Sequence, residues 1–274
     1  MKPVYLGLPQ WQHPHWKKLG ISTLEDYARY FNCVEGNTTL YALPRPDVVQ
    51  RWHAMTHDDF RFCFKFPATI SHQAALQQCD DLTREFFALM SPLAERIGQY
   101  WLQLPAAFSP ADLSRLWAFL DALPTEFRYG VEVRHPAFFA KGEEERALNR
   151  GLHQRGVNRV ILDTRGVHSA QPSTPAIIDA QRKKPKLPVH AVITATQPMI
   201  RFIGGDDPQA NRQWFQAWLA RLPQWCTTSQ PLLFIHTPDN AFSPDLVRYL
   251  WPDLQRVLPH VGDAPTWPQQ DMLF

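Results

Sequence analysis

Nine polar residues in this chain stand where short β-branched and aromatic runs end, and they are the ones whose types and spacing could do chemistry. They are Glu35, Asn37, Lys65, Gln103, Glu132, Arg134, Asp163, Arg201 and His236. Glu35 and Asn37 are two residues apart, as are Glu132 and Arg134, so on an extended strand each pair projects from one face. A carboxylate among cations has a shifted pKa, which general acid–base chemistry uses. We assign Glu132 and Glu35 to acid–base roles, with His236 and Asp163 as second candidates. Arg134, Arg201 and Lys65 would hold an anion by charge-assisted hydrogen bonds, and Gln103 and Asn37 would orient it. The same charges also admit a purely structural reading, an ion network in which buried charges pair.

The elements that must position these side chains are legible. Strand patterns fall at Val4–Leu8, Cys33–Asn37, Arg61–Phe66, Tyr100–Leu104, Tyr129–Arg134, Arg159–Asp163, Met199–Ile203 and Leu232–His236. Helical patterns separate most of them, the alternation that marks parallel βαβ units. The expected fold is therefore α/β, a TIM-barrel-like barrel of about eight parallel strands forming one domain over residues 1–274. Such barrels place active sites at the C-terminal strand ends, where the nine residues lie in one phase. Ser22 and Glu25 read as a capping box. Ser109-Pro110, Asp207-Pro208 and Ser243-Pro244 read as helix starts with a first-turn proline. Gly156 reads as a helix end. Between Asp163 and Met199 only a short helical pattern near Pro175–Arg182 is visible, so a long loop or insertion is expected.

Several function classes lack support. The net charge of +2 demands no polyanionic partner. None of the four cysteines forms a C-x-x-C pair, against a zinc ribbon or redox motif. Glu35, Glu132, Asp163 and His236 have metal-ligating atoms, but no clustered His/Asp spacing accompanies them, and no metal is assigned. No cofactor is assigned either. Gly204-Gly205 lacks a nucleotide fingerprint. It follows the seventh strand and leads into a helix, where barrels often bind phosphate. Trp11, Trp16 and Tyr41 are either core or an apolar wall over a ligand. His72 and His135 are rim groups or caps. The basic run Arg182–Lys186 is a solvated loop or a contact to nucleic-acid phosphates. The start of the chain is too polar for a signal peptide, and no run approaches the ~18 apolar residues of a membrane span. A cytoplasmic protein with no membrane partner is expected.

Phe31-Asn32-Cys33-Val34-Glu35-Gly36-Asn37-Thr38-Thr39-Leu40-Tyr41 resembles the "FN-x-VE-x-N-x-T-x-Y" segment of the YecE-like family, domain of unknown function 72. Four further blocks are similar to that family in the same order. They are Asp59–Phe62 with Lys65 and Ile70–His72, Gln103–Pro105 with Phe108, Val131–His135, and Ile200–Gly204. The resemblance spans nearly the whole chain and implies a TIM-barrel-like fold with no set activity. Two positions depart from the pattern. Ile203 stands where many members have histidine, and His236-Thr237 where many have paired asparagines. Three functions compete on this reading. The first is an enzyme acting by acid–base chemistry or hydrolysis on a small phosphate- or carboxylate-bearing substrate. The second is a nucleic-acid-binding barrel or phosphodiesterase. The third is a non-catalytic binding protein.

Overall fold

A computed structural model describes residues 2–268. Its strands are β1 (Tyr5–Leu8), β2 (Cys33–Gly36), β3 (Arg61–Lys65), β4 (Ile97–Gln103), β5 (Tyr129–Glu132), β6 (Asn158–Arg159), β7 (Ile161–Asp163), β8 (Met199–Ile203) and β9 (Leu232–His236). They form one sheet in the order β6-β5-β4-β3-β2-β1-β9-β8-β7. Helices follow the strands: α1 (Leu24–Ala28), α2 (Pro46–Ala54), α3 (Asp80–Met90), α4 (Leu113–Asp121), α5 (Glu143–Gln154), α6 (Arg165–Ser169), α7 (Pro175–Lys183), α8 (Pro208–Leu219), α9 (Leu222–Thr228) and α10 (Ser243–Val257). The fold is α/β and TIM-barrel-like. The expected sixth strand is two strands. Asn158 and Arg159 pair with β5, while β7 lies beside β8, and the ladder breaks at Val160.

Two compact units make up the chain. One comprises the segment up to Val34, Leu162–Lys186 and the chain from Ile200 onward. The other comprises Glu35–Ile161 and Leu187–Met199.

In the second unit the alternation of β3 decides which residues meet the helices and which face the other side of the sheet. Phe62 and Phe64 stack on each other at 5.3 Å, and Phe64 stacks on Trp52 of α2 at 5.7 Å. Phe66, just past the strand, packs on Phe86 of α3 at 5.5 Å. Burying each such ring contributes roughly 1.5–3 kcal/mol. This fixes the register, because a slip by one would turn Cys63 and Lys65 toward the helices. Gly36 lets the sheet close over this stack, since a Cβ there would meet the Phe64 ring at 2.2 Å. Buried Gln99 of β4 accepts from Asn158 Nδ2 at 2.5 Å.

In the first unit the Tyr27 hydroxyl accepts from the Leu8 amide and donates to the Cys33 carbonyl, both at 2.8 Å, and so ties β1 to β2. Asp207 caps α8 by accepting from the Gln209 amide. Gly156, in the second unit, has φ of 63° after α5, a conformation only glycine adopts cheaply. Three local expectations are corrected. The capping box of α1 is Thr23 with Asp26, because the Asp26 carboxylate reaches the amides of both Ser22 and Thr23. Ser243 does not cap α10; its hydroxyl accepts from the Thr237 amide at 3.0 Å, and Phe242 is the cap residue. The stretch after Asp163 holds two helices, α6 as well as the anticipated α7.

Candidate functional site

Six of the sequence-predicted residues gather in the second unit. Glu35 is the penultimate residue of β2, and Lys65, Gln103 and Glu132 end β3, β4 and β5, so all four stand at C-terminal strand ends. Gln103 and Glu132 are register partners, and Lys65 is paired with Trp101. Lys65 Nζ donates to Gln103 Oε1 at 2.8 Å and lies 4.7 Å from the Trp101 ring centroid. Arg134 Nε and Nη2 both donate to Glu132 Oε1, at 2.9 and 2.8 Å. Asn37 Nδ2 donates to Glu35 Oε1 at 2.7 Å. Glu35, Lys65 and Glu132 are only 0%, 5% and 1% exposed, whereas Arg134, Gln103 and Asn37 reach partway to solvent. The Cys63 thiol, on the same face of β3, is pushed up by burial and by the charge of Glu35, which makes it inert.

His72 joins this group, and sequence reasoning left it undecided between a rim group and a cap. It sits on a single π turn, Thr69–Gln73, a rare geometry that recurs at functional sites. Ser71 Oγ, fully buried, lies 2.8 Å from His72 Nδ1 and orients the ring. Burial first, then the charges of Arg134 and Lys65, hold its pKa below the ordinary histidine value. The imidazole is thus neutral at pH 7 and fit to accept a proton. The chain just beyond is strained: Ala75, Leu76 and Gln78 all have positive φ, at 48°, 64° and 48°. The available signal was Ser71-His72 following β3 within a motif block. His135, by contrast, is a cap, accepting from the Ala137 amide.

The remaining residues lie in the first unit. Arg201 on β8 and His236 at the end of β9 are both buried. Asp163 does not have the environment expected of a catalytic acid. Its carboxylate accepts from Trp218 Nε1 of α8 at 2.8 Å and from Arg165 Nε and Nη2 at 2.9 and 2.7 Å. It faces the helix layer, as Arg159, four residues earlier, faces Glu145 of α5. Gly204 and Gly205 do not offer free amides to an anion. The Gly204 amide donates to the His236 carbonyl at 2.9 Å, and the Gly205 amide to Asn211 Oδ1 at 2.7 Å. These glycines serve packing instead, since a Cβ on Gly204 would meet the Asn211 amide group at 2.8 Å.

Tyr41 is 84% exposed, so it is not core, while Trp16 is buried and donates to the carbonyls of Asn240 and Ala241. Arg182 and Lys183 of the basic run both pair with Asp179 at 2.6 Å. Among the described residues, no group of three or more His, Cys, Asp or Glu is arranged to hold a metal ion. No helix among them is long and apolar enough to cross a membrane.

Comparison with known proteins agrees with the sequence motifs. The family model described as "Protein of unknown function DUF72" matches residues 5–271. The UPF0759 protein YecE of Escherichia coli strain K12 is 69% identical over 271 residues, covering 99% of this chain and all of that protein. Its counterpart in Escherichia coli O157:H7 is equally similar. Among solved structures, a DUF72 family protein from Enterococcus faecalis V583 superposes with a TM-score of 0.70 at 19% identity, over 98% of this chain and all of that one. Another from Thermotoga maritima MSB8 gives 0.67 at 16% identity, over 93% and 99%. These two show a shared fold. With a family match along nearly its entire length and relatives of 69% identity, the chain belongs to the DUF72 family.

Proposed function

We propose that the protein is an enzyme that takes a small phosphate- or carboxylate-bearing molecule at the Glu35, Lys65, Gln103, Glu132 and Arg134 cluster and moves a proton there. The observation that carries this reading is the near-complete burial of Glu35, Lys65 and Glu132 at the ends of neighbouring strands. Withdrawing such charges from water costs several kcal/mol per ion, and packed apolar side chains would serve the fold as well. Their retention calls for a role that only charge can fill. Lys65 and Arg134 supply the cations for an anionic group, and Arg134 reaches partway to solvent to meet it. Glu132 is the base, held in place through Oε1 by Arg134. The neutral His72 is a second proton carrier, and Gln103 and Asn37 orient the substrate. Glu35 is the alternate acid. His236 and Arg201 stay second candidates, and Asp163 drops out because Trp218 and Arg165 account for its burial.

A cytoplasmic setting fits the four cysteines, all buried and free, since disulfides are rare there. Nucleic-acid binding draws less support, because Asp179 pairs with both Arg182 and Lys183 and offsets one of the charges in the basic run.

The test is a thermal-shift screen of phosphorylated and carboxylated metabolites against the wild type and Arg134→Gln. A ligand present at 100 times its Kd adds about 2.7 kcal/mol of stability. At least one compound should raise the wild-type melting temperature and fail to raise that of the variant. An empty screen, or equal shifts in both proteins, would count against the proposal.

A further inference from the structure

The first unit contains a cavity of about 320 Å³ between the start of α8, the end of β9 and the first two turns of α10. Phe242, Asp245, Leu246 and Tyr249 contribute to its lining at positions i, i+3, i+4 and i+7, so one stripe of α10 faces it. Asp206, just before α8, also lines it. This is where a barrel of this class often holds phosphate, yet the chemistry here has the opposite sign. The Gly204 and Gly205 amides are already engaged. Both helices begin with proline at the first or second position, which removes an N–H donor that an anion would use. Asp207 takes the Gln209 amide. Two carboxylates, Asp206 and Asp245, line the space, and no lysine or arginine among the described residues does. The Arg212 guanidinium is bound by Asp253 and also hydrogen-bonds the Tyr249 side chain.

We propose that this cavity binds a small organic ammonium, a cationic nitrogen on a short apolar body. The Asp206 and Asp245 carboxylates supply the charge. The rings of Phe242 and Tyr249, 52% and 41% exposed, supply faces that attract a cation. Phe242 already serves one in this way, since the Lys18 ammonium lies 5.9 Å from its centroid. Leu246 gives the apolar body a wall. An inorganic cation would gain little from such a lining, because it needs a shell of oxygen ligands. The site is separate from the cluster around Lys65, and neither reading depends on the other.

The experiment is calorimetric titration of the full chain with tetramethylammonium and propylammonium chloride, beside potassium chloride and sodium phosphate. The variants are Phe242→Ala, Asp245→Asn and Asp206→Asn, each checked for folding by circular dichroism. Phe242 is half exposed, so its variant keeps the fold even if Asp245→Asn weakens the start of α10. The expected result is saturable 1:1 binding of an ammonium salt and not of potassium, weakened by roughly tenfold in Phe242→Ala and in whichever Asp variants fold. Three results would each overturn the proposal: no saturable binding of either ammonium, unchanged binding in Phe242→Ala, or phosphate binding that these variants abolish.

Discussion

Lys65 and Asp163 were both expected on the inner face of their strands, and they mark where residue-level reading succeeds and where it stops. In and beside β3, Phe60, Phe62, Phe64 and Phe66 at period two leave no choice of face, and Lys65 emerges beside Gln103. Before β7 the ladder breaks at Val160, and the run is too short for alternation to set the phase. Asp163 then finds Trp218 on α8, a partner 55 positions away that no local pattern announces. His72 was visible as a residue but not as a participant, because a π turn and a buried serine hydroxyl place it. Its lowered pKa gives a signed expectation. The unfolded chain takes up a proton at the ordinary histidine value while the folded chain does not, so stability falls as pH drops below about 6.5. If His72 carries protons, turnover should fall on the acid side with an apparent pKa below 6.5, and His72→Asn should remove that limb from the pH–rate profile. An acid limb that survives the substitution assigns it to another group.

At the scale of elements, most boundaries were readable because their causes are local. Apolar period, Pro at the first helical turn and Gly156 after α5 act within a few residues. What escaped was set by distant contacts. Ser243 has every local mark of an N-cap, yet its hydroxyl is drawn to the Thr237 amide instead. Gly204-Gly205 has the marks of an anion loop, yet Asn211, six residues beyond Gly205, occupies the amide and the carbonyl of Gly205. Asn211→Leu should leave both groups buried without partners and lower stability by about 1–3 kcal/mol for each, measured by urea unfolding. A change within about 0.5 kcal/mol would mean that the loop rearranges freely. The same variant should leave the residue cluster of the second unit unaltered, so a ligand found there should bind it as it binds the wild type.

For the molecule as a whole, the sheet order carries the chain from β1 through β6 on one side and from β9 to β7 on the other. We expect residues 1–274 to behave as one domain and to melt in a single transition. Fluorescence of Trp101 in the second unit and Trp218 in the first, each isolated by replacing the other tryptophans with phenylalanine, should report coincident midpoints. Separated midpoints would make the two compact units independent. Global stability also gives the sharpest reading of Glu132. As a scaffold residue it holds Arg134, and losing that charge from a buried pair costs roughly 3–5 kcal/mol. As a base its carboxylate is indispensable to the chemistry, and the nearly isosteric amide of Glu132→Gln cannot replace it. The decisive measurement is therefore the specific activity of folded Glu132→Gln, on whichever substrate the metabolite screen yields, taken together with its melting temperature. The expected result is a folded variant with its turnover lost. A variant that melts far lower yet keeps full specific activity while folded would contradict the assignment and leave Glu132 a purely structural charge.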